Sequence, residues 1–169
     1  MTLSPRSVAR RIRYALPALA GRAIPTPDAG WVVRKCDALA EDGLAAAIGY
    51  FQADDAGPET VAQENLAAIA RLSGGRRDAY FSLKAPPLGF DAVRISTIAQ
   101  AAREAGMAVV FDSHAPDLAD PTLALVERLL PDYPGTGFAL PARWRRSVAD
   151  AHAFRDSTAR IRLAKGEWP

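Results

Sequence analysis

The sequence predicts an α/β protein, a partial (β/α)8 barrel of the TIM type in which parallel strands alternate with helices. Three observations carry this. Short apolar segments alternate with amphipathic segments of helical length, the signature of right-handed βαβ units. The apolar segments stop abruptly at Lys84, Asp112 and Lys165, and barrel chemistry sits at the C-terminal ends of strands. No G-x-G-x-x-G follows the first strand, as a doubly wound nucleotide-binding sheet would show.

Residues 1–27 form a separate N-terminal region. Arg6, Arg10, Arg11, Arg13 and Arg22 fall within residues 2–23 without any acid. They predict a basic surface helix from Pro5 to Leu16, then a proline-bearing linker, Ile24–Pro27. A targeting peptide is the competing reading, but Pro17 interrupts an already short apolar stretch. Residues 28–169 form the barrel domain.

In that domain Asp28 is a candidate N-cap, and Trp31, Val32, Cys36 and Leu39 recur at helical spacing up to Gly43. Leu44–Phe51 reads as a short buried strand. Pro58–Leu72 places Val61, Leu66, Ile69 and Leu72 on one helical face and closes at Gly74-Gly75. Ala79–Leu83 is a strand and Asp91–Ala105 a helix. Met107–Phe111 is a strand, Leu118–Leu130 a helix stopped by Pro131, and Gly135–Leu140 a strand. Residues 146–154 form a short helix, and Arg160–Ala164 a fifth strand.

Composition narrows the function. The 169 residues are 49% apolar and 24% charged, with a formal net charge of +2. That composition is ordinarily globular and lacks the positive field expected of a protein whose main partner is nucleic acid. Cys36 is the single cysteine, so neither an intramolecular disulfide nor a cysteine-rich zinc site can form, and a reducing cytoplasm fits best. No apolar run approaches the roughly 20 residues of a transmembrane helix.

Four segments occur in a telling order: Phe81-Ser-Leu-Lys84, Val110-Phe-Asp112, Thr122-Leu-Ala-Leu with Tyr133-Pro-Gly-Thr-Gly-Phe138, and Ile161-Arg-Leu-Ala-Lys-Gly166. Their order and spacing resemble proline dehydrogenases over roughly residues 30–169. The resemblance implies a flavoprotein barrel that binds FAD at its C-terminal mouth and oxidises L-proline to pyrroline-5-carboxylate. It also implies a quinone electron acceptor and peripheral membrane contact. By the same resemblance Arg162 lies against the flavin, with Lys165 and Gly166 beside it. Lys84 and Asp112 are the charged strand ends, with Lys84 at the substrate end of the pocket, and Trp168 walls the substrate site. Fixed cations near a flavin that takes up hydride suit this chemistry.

The departures from the family pattern are specific. Pro141 replaces a glutamine, Glu167 replaces a small alanine, and His114 stands where a glutamate is common. Arg145-Arg146 follows the fourth strand, so it does not take the role of the arginine pair that the family carries on its last helix. With only five strands read, the sequence looks like an N-terminal fragment of the family's barrel, divergent or reduced in activity on its own. One rival reading makes Asp112, His114, Asp117 and Asp120 the oxygen and nitrogen ligands of a metal-dependent barrel hydrolase. However, His152 lies far along the chain and no H-x-H spacing exists. A second rival is an inactive fragment or non-catalytic partner protein.

Overall fold

The computed structural model describes residues 29–52, 56–75 and 78–166. The basic helix expected before residue 28, and the positions Glu167 and Trp168, lie outside the described residues. The elements follow the expected order. They are α1 (Ala29–Glu41), β1 (Ala46–Ile48), α2 (Pro58–Leu72), β2 (Ala79–Leu83), α3 (Ala92–Glu104), β3 (Ala108–Phe111), α4 (Ala119–Leu129), β4 (Gly137–Pro141), α5 (Ser147–Ala153) and β5 (Arg160–Ala164).

Sheet order decides between the two α/β architectures. The strands pair in the order β1-β2-β3-β4-β5, each parallel to the next. Every crossover therefore advances one strand in the same direction, which, with right-handed connections, puts all helices on one face. A doubly wound sheet would reverse direction at a switch point. The five strands thus form a curled section of a (β/α) barrel wall.

The helices stop and start for local reasons. Pro58 occupies the first turn of α2, where its missing N–H costs nothing, and Glu59 near the N-terminus and Arg71 in the last turn suit the helix dipole. The Asp91 side chain caps α3 by accepting from the Arg94 backbone N–H at 2.9 Å. The outer face of the sheet contributes Phe81, Leu83, Val109, Phe111, Phe138 and Leu140 to a core shared with Val61, Ile69, Ile95, Ile98, Leu125 and Val126 of the helices. The first strand is shorter than the alanine-rich run Leu44–Phe51 suggested: only three residues pair, and Leu44 and Phe51 are exposed.

Strand period places the other residues on the inner face. The registers align Ser82 with Val110, Val110 with Gly137, and Gly137 with Arg160. One pair further along, Ala139 aligns with Arg162. Extending the β2–β3 and β3–β4 registers by one residue puts Lys84 and Asp112 in that same row. Lys84, Asp112, Ala139 and Arg162 are therefore one layer across four adjacent strands, at the ends from which barrel chemistry is run.

Candidate active site

The layer is closed by Arg162. On β5, two strands from Asp112, its guanidinium has roughly 9–10 Å to cross. The residue between them on β4 is Ala139, whose single methyl leaves the path free. Arg162 Nη2 donates to Asp112 Oδ1, while Nη1 lies 3.2 Å from Ser82 Oγ and 3.3 Å from the Tyr80 hydroxyl. Ser82 Oγ in turn donates to Asp112 Oδ1 at 2.6 Å. The second carboxylate oxygen faces Lys84 Nζ at 3.6 Å. Lys84 also sits 3.6 Å above the ring of Phe51, which follows β1, a cation–π contact.

One carboxylate thus holds two cations in place. Burial pushes the Asp112 carboxyl up, but the hydrogen bonds from Ser82 and Arg162 and the charges of Arg162 and Lys84 outweigh it and hold the group below its usual value. Burial alone would lower the Arg162 pKa, yet the Tyr80 hydroxyl and Asp112 raise it. Burial likewise dominates at His114 and lowers its pKa, with the Asp112 charge opposing and that of Lys84 assisting. At neutral pH the cluster therefore carries two positive charges and one negative, a net excess of one cation on a shaped surface.

Three of the expected site residues, Lys84, Asp112 and Arg162, are brought together. Lys165 and Gly166 follow directly on β5; Lys165 is exposed. Gly166 adopts φ +77°, and a Cβ there would come within 2.7 Å of Pro141 Cβ, so the chain after β5 turns tightly over the end of β4. Arg160 and Arg162, two residues apart, share the inner face. Both guanidiniums lie near the Tyr80 ring, at 5.7 and 5.9 Å, and Arg160 is the more exposed. Arg146 belongs elsewhere, bonding Asp150 and Asp120.

Sequence reasoning missed Tyr80, Ser82 and Phe51. For the first two the signal was present: Tyr80, Ser82 and Lys84 are spaced by two, and period two puts them on one face. Nothing in the sequence placed Phe51 over Lys84. The metal-ligand grouping does not assemble. No group of three or more His, Cys, Asp or Glu side chains among the described residues is arranged to hold a metal. Asp112 is engaged by Arg162 and Lys84, and Asp120 by Arg146. A cavity of about 360 Å³ lined by Asp78, Met107, Thr136 and Arg160 lies at the opposite, N-terminal ends of the strands. Conservation of chemistry to the C-terminal face in barrels assigns it no part in this site.

Fold and site together define a (β/α)-barrel wall with a cationic cluster at the C-terminal ends of its strands. Comparison with solved structures gives this class particular neighbours. The fold matches proline utilization A from Bdellovibrio bacteriovorus, inactivated by N-propargylglycine, with a TM-score of 0.70 at 14% identity over 98% of this chain and 23% of that one. It also matches two variants of proline utilization A from Bradyrhizobium japonicum, with TM-scores of 0.52 at 19% and 20% identity, each over 64% of this chain and 14% of the other. The chain therefore spans less than a quarter of the length of these proteins. No family model matches the sequence, and no curated protein matches it. The likeness at these identities is one of fold. Among the described residues no helix is long and apolar enough to cross a membrane.

Proposed function

We propose that this chain provides part of a flavin-dependent barrel that oxidises L-proline, or a related secondary amine, in proline catabolism. The observation that carries the reading is the convergence of Lys84, Asp112 and Arg162 in one layer at the strand C-termini. The family resemblance had marked these three, and the fold neighbours are proline utilization proteins.

The donor set suits an FAD. A bound flavin would supply a hydride acceptor for the amine carbon, and the cations nearby would stabilise the negative charge that develops on it. In this chain Arg162 is the residue that would lie against it. Asp112, Ser82 and Tyr80 hold its guanidinium fixed before any ligand arrives, so little reorganisation is needed when charge develops. Lys84, pinned by Asp112 and Phe51, faces the substrate end. Lys165 and Gly166, directly after β5, would add to the cofactor contact, and the family resemblance assigns Trp168 to the substrate wall. Pro141, in place of a glutamine, contributes no polar side chain. The quinone acceptor, peripheral membrane contact and cytoplasmic setting follow from the same reading.

The test is a titration of the purified protein with FAD, followed by L-proline under anaerobic conditions. The reading expects a bound flavin spectrum that proline bleaches, with Arg162→Ala weakening flavin binding at least ~10-fold, a loss of about 1.4 kcal/mol. Flavin binding without bleaching would retain the cofactor and reject the substrate. No flavin binding, by this chain or by a longer chain that completes the barrel, would favour a non-catalytic partner protein.

A further inference from the structure

Behind the cationic cluster lies a second, smaller feature that the proposed chemistry does not use. Between the ends of β3 and β4 and helices α4 and α5 is a cavity of about 20 Å³, lined by His114, Thr122, Trp144 and Asp150 among others. Two of these carry buried nitrogens without a hydrogen-bond partner, His114 Nε2 and Trp144 Nε1. Trp144 is only 6% exposed. An indole N–H buried without a partner is costly, and here both residues line the same space.

The size and chemistry of the space select its occupant. Roughly 10–15 Å³ accommodates one water, provided that two to four polar partners surround it. Trp144 Nε1 is a donor only, so its partner must accept. Thr122 Oγ1 has directed its proton to the Leu118 carbonyl at 2.7 Å and retains acceptor capacity. The Asp150 carboxylate, engaged by Arg146, is a further acceptor. A molecule that accepts once and donates twice fits this set.

We infer that a single buried water bridges Trp144 Nε1–H and His114 Nε2, accepting from the indole and donating to the imidazole. Its second hydrogen goes to Thr122 or Asp150. The arrangement requires the neutral imidazole to carry its proton on Nδ1. His114 then adds no third cation beside Lys84 and Arg162, and the loop after β3 is tied to the β4–α5 turn that carries Trp144. The inference stands on this cavity alone and is independent of any flavin or amine.

Only two histidines occur in the chain, and His152 is exposed, so imidazole ¹⁵N NMR at neutral pH can read His114 directly, with a His152→Asn variant for assignment. The expected result is a single Nδ1–H tautomer at His114 and a water cross-peak to the Trp144 indole proton. In Trp144→Phe the cross-peak should vanish and His114 should shift towards a tautomer mixture, with the amide spectrum reporting that the fold is retained. An Nε2–H tautomer or a protonated His114 in the wild-type protein would overturn the inference. So would an indole proton with no water contact, which covers both a dry cavity and a direct Trp144–His114 bond.

Discussion

Asp112 illustrates how one carboxylate organises cations that would otherwise repel. Its two oxygens receive Arg162, Ser82 and Lys84, and the side chain is 21% exposed, so these contacts are screened less than surface pairs. Removing the charge leaves Arg162 and Lys84 facing one another without their counter-ion. Asp112→Asn should therefore lose about 1–3 kcal/mol at pH 7, the penalty for disrupting a partly buried charged hydrogen-bond network. The sign of the pH dependence follows from the depressed carboxyl pKa. Its stabilisation is complete above the unfolded value, near 3.8, and disappears as the pH falls through the lower folded value. Urea denaturation should then show the wild type and Asp112→Asn well separated at pH 7 and drawing together as the pH falls below about 3.8. A gap that does not narrow with falling pH would mean that shape, not charge, is what Asn fails to supply. At the same scale Arg162→Lys keeps the charge but loses the planar fork. It should not reach Tyr80, Ser82 and Asp112 together, so flavin affinity should fall at least ~10-fold, read by the same FAD titration.

At the scale of elements, the inner row depends on what β4 omits. Gly137 sits where an added Cβ would meet the Arg160 carbonyl oxygen at 1.8 Å, an overlap that only separation of β4 from β5 relieves. Gly137→Ala should cost about 3 kcal/mol or more, seen as a lowered thermal midpoint or failure to fold. Ala139 has a different role. It is the gap through which Arg162 reaches Asp112, so Ala139→Leu should overpack the wall by about 1–3 kcal/mol and displace the guanidinium. The check is a double-mutant cycle with Asp112→Asn, where coupling between Asp112 and Arg162 should collapse in the Leu background. These elements were largely legible in the sequence. Pro58–Leu72, Ala79–Leu83 and Arg160–Ala164 have the bounds that their periodicity and punctuating residues indicate. Lys84, Asp112 and Arg162 were legible because motif order singled them out. The role of Ala139 was not, since it depends on which residues of β3 and β5 flank it, and that pairing joins segments far apart in the sequence. Phe51 escaped for a similar reason: its contact with Lys84 joins the end of β1 to the end of β2.

For the molecule as a whole, the described sheet is covered unevenly. Helices bury the outer residues of β2, β3 and β4 nearly completely, with Phe81 at 0% and Phe138 at 2% exposure. The equivalent residues of β5 are not covered: Ile161 is 39% and Leu163 71% exposed. Among the described residues β5 is the last strand of the sheet, and its far edge pairs with no other strand beside an apolar face. Such an edge is a template for pairing with another chain. Arg160 and Arg162 put charge on the inner face of this strand, but its outer face, Ile161 and Leu163, carries none. A protein made of residues 29–166 should therefore self-associate as its concentration rises, and sedimentation velocity across a dilution series should show the weight-average coefficient increasing. Leu163→Lys tests whether this face is responsible. Because the side chain is largely exposed, the substitution should change unfolding free energy by no more than about 0.5 kcal/mol, while a charge on the edge suppresses association. If the wild type instead sediments as a single monomer at all concentrations, the β5 face is covered from within the same chain, and Leu163→Lys should then lower stability rather than association.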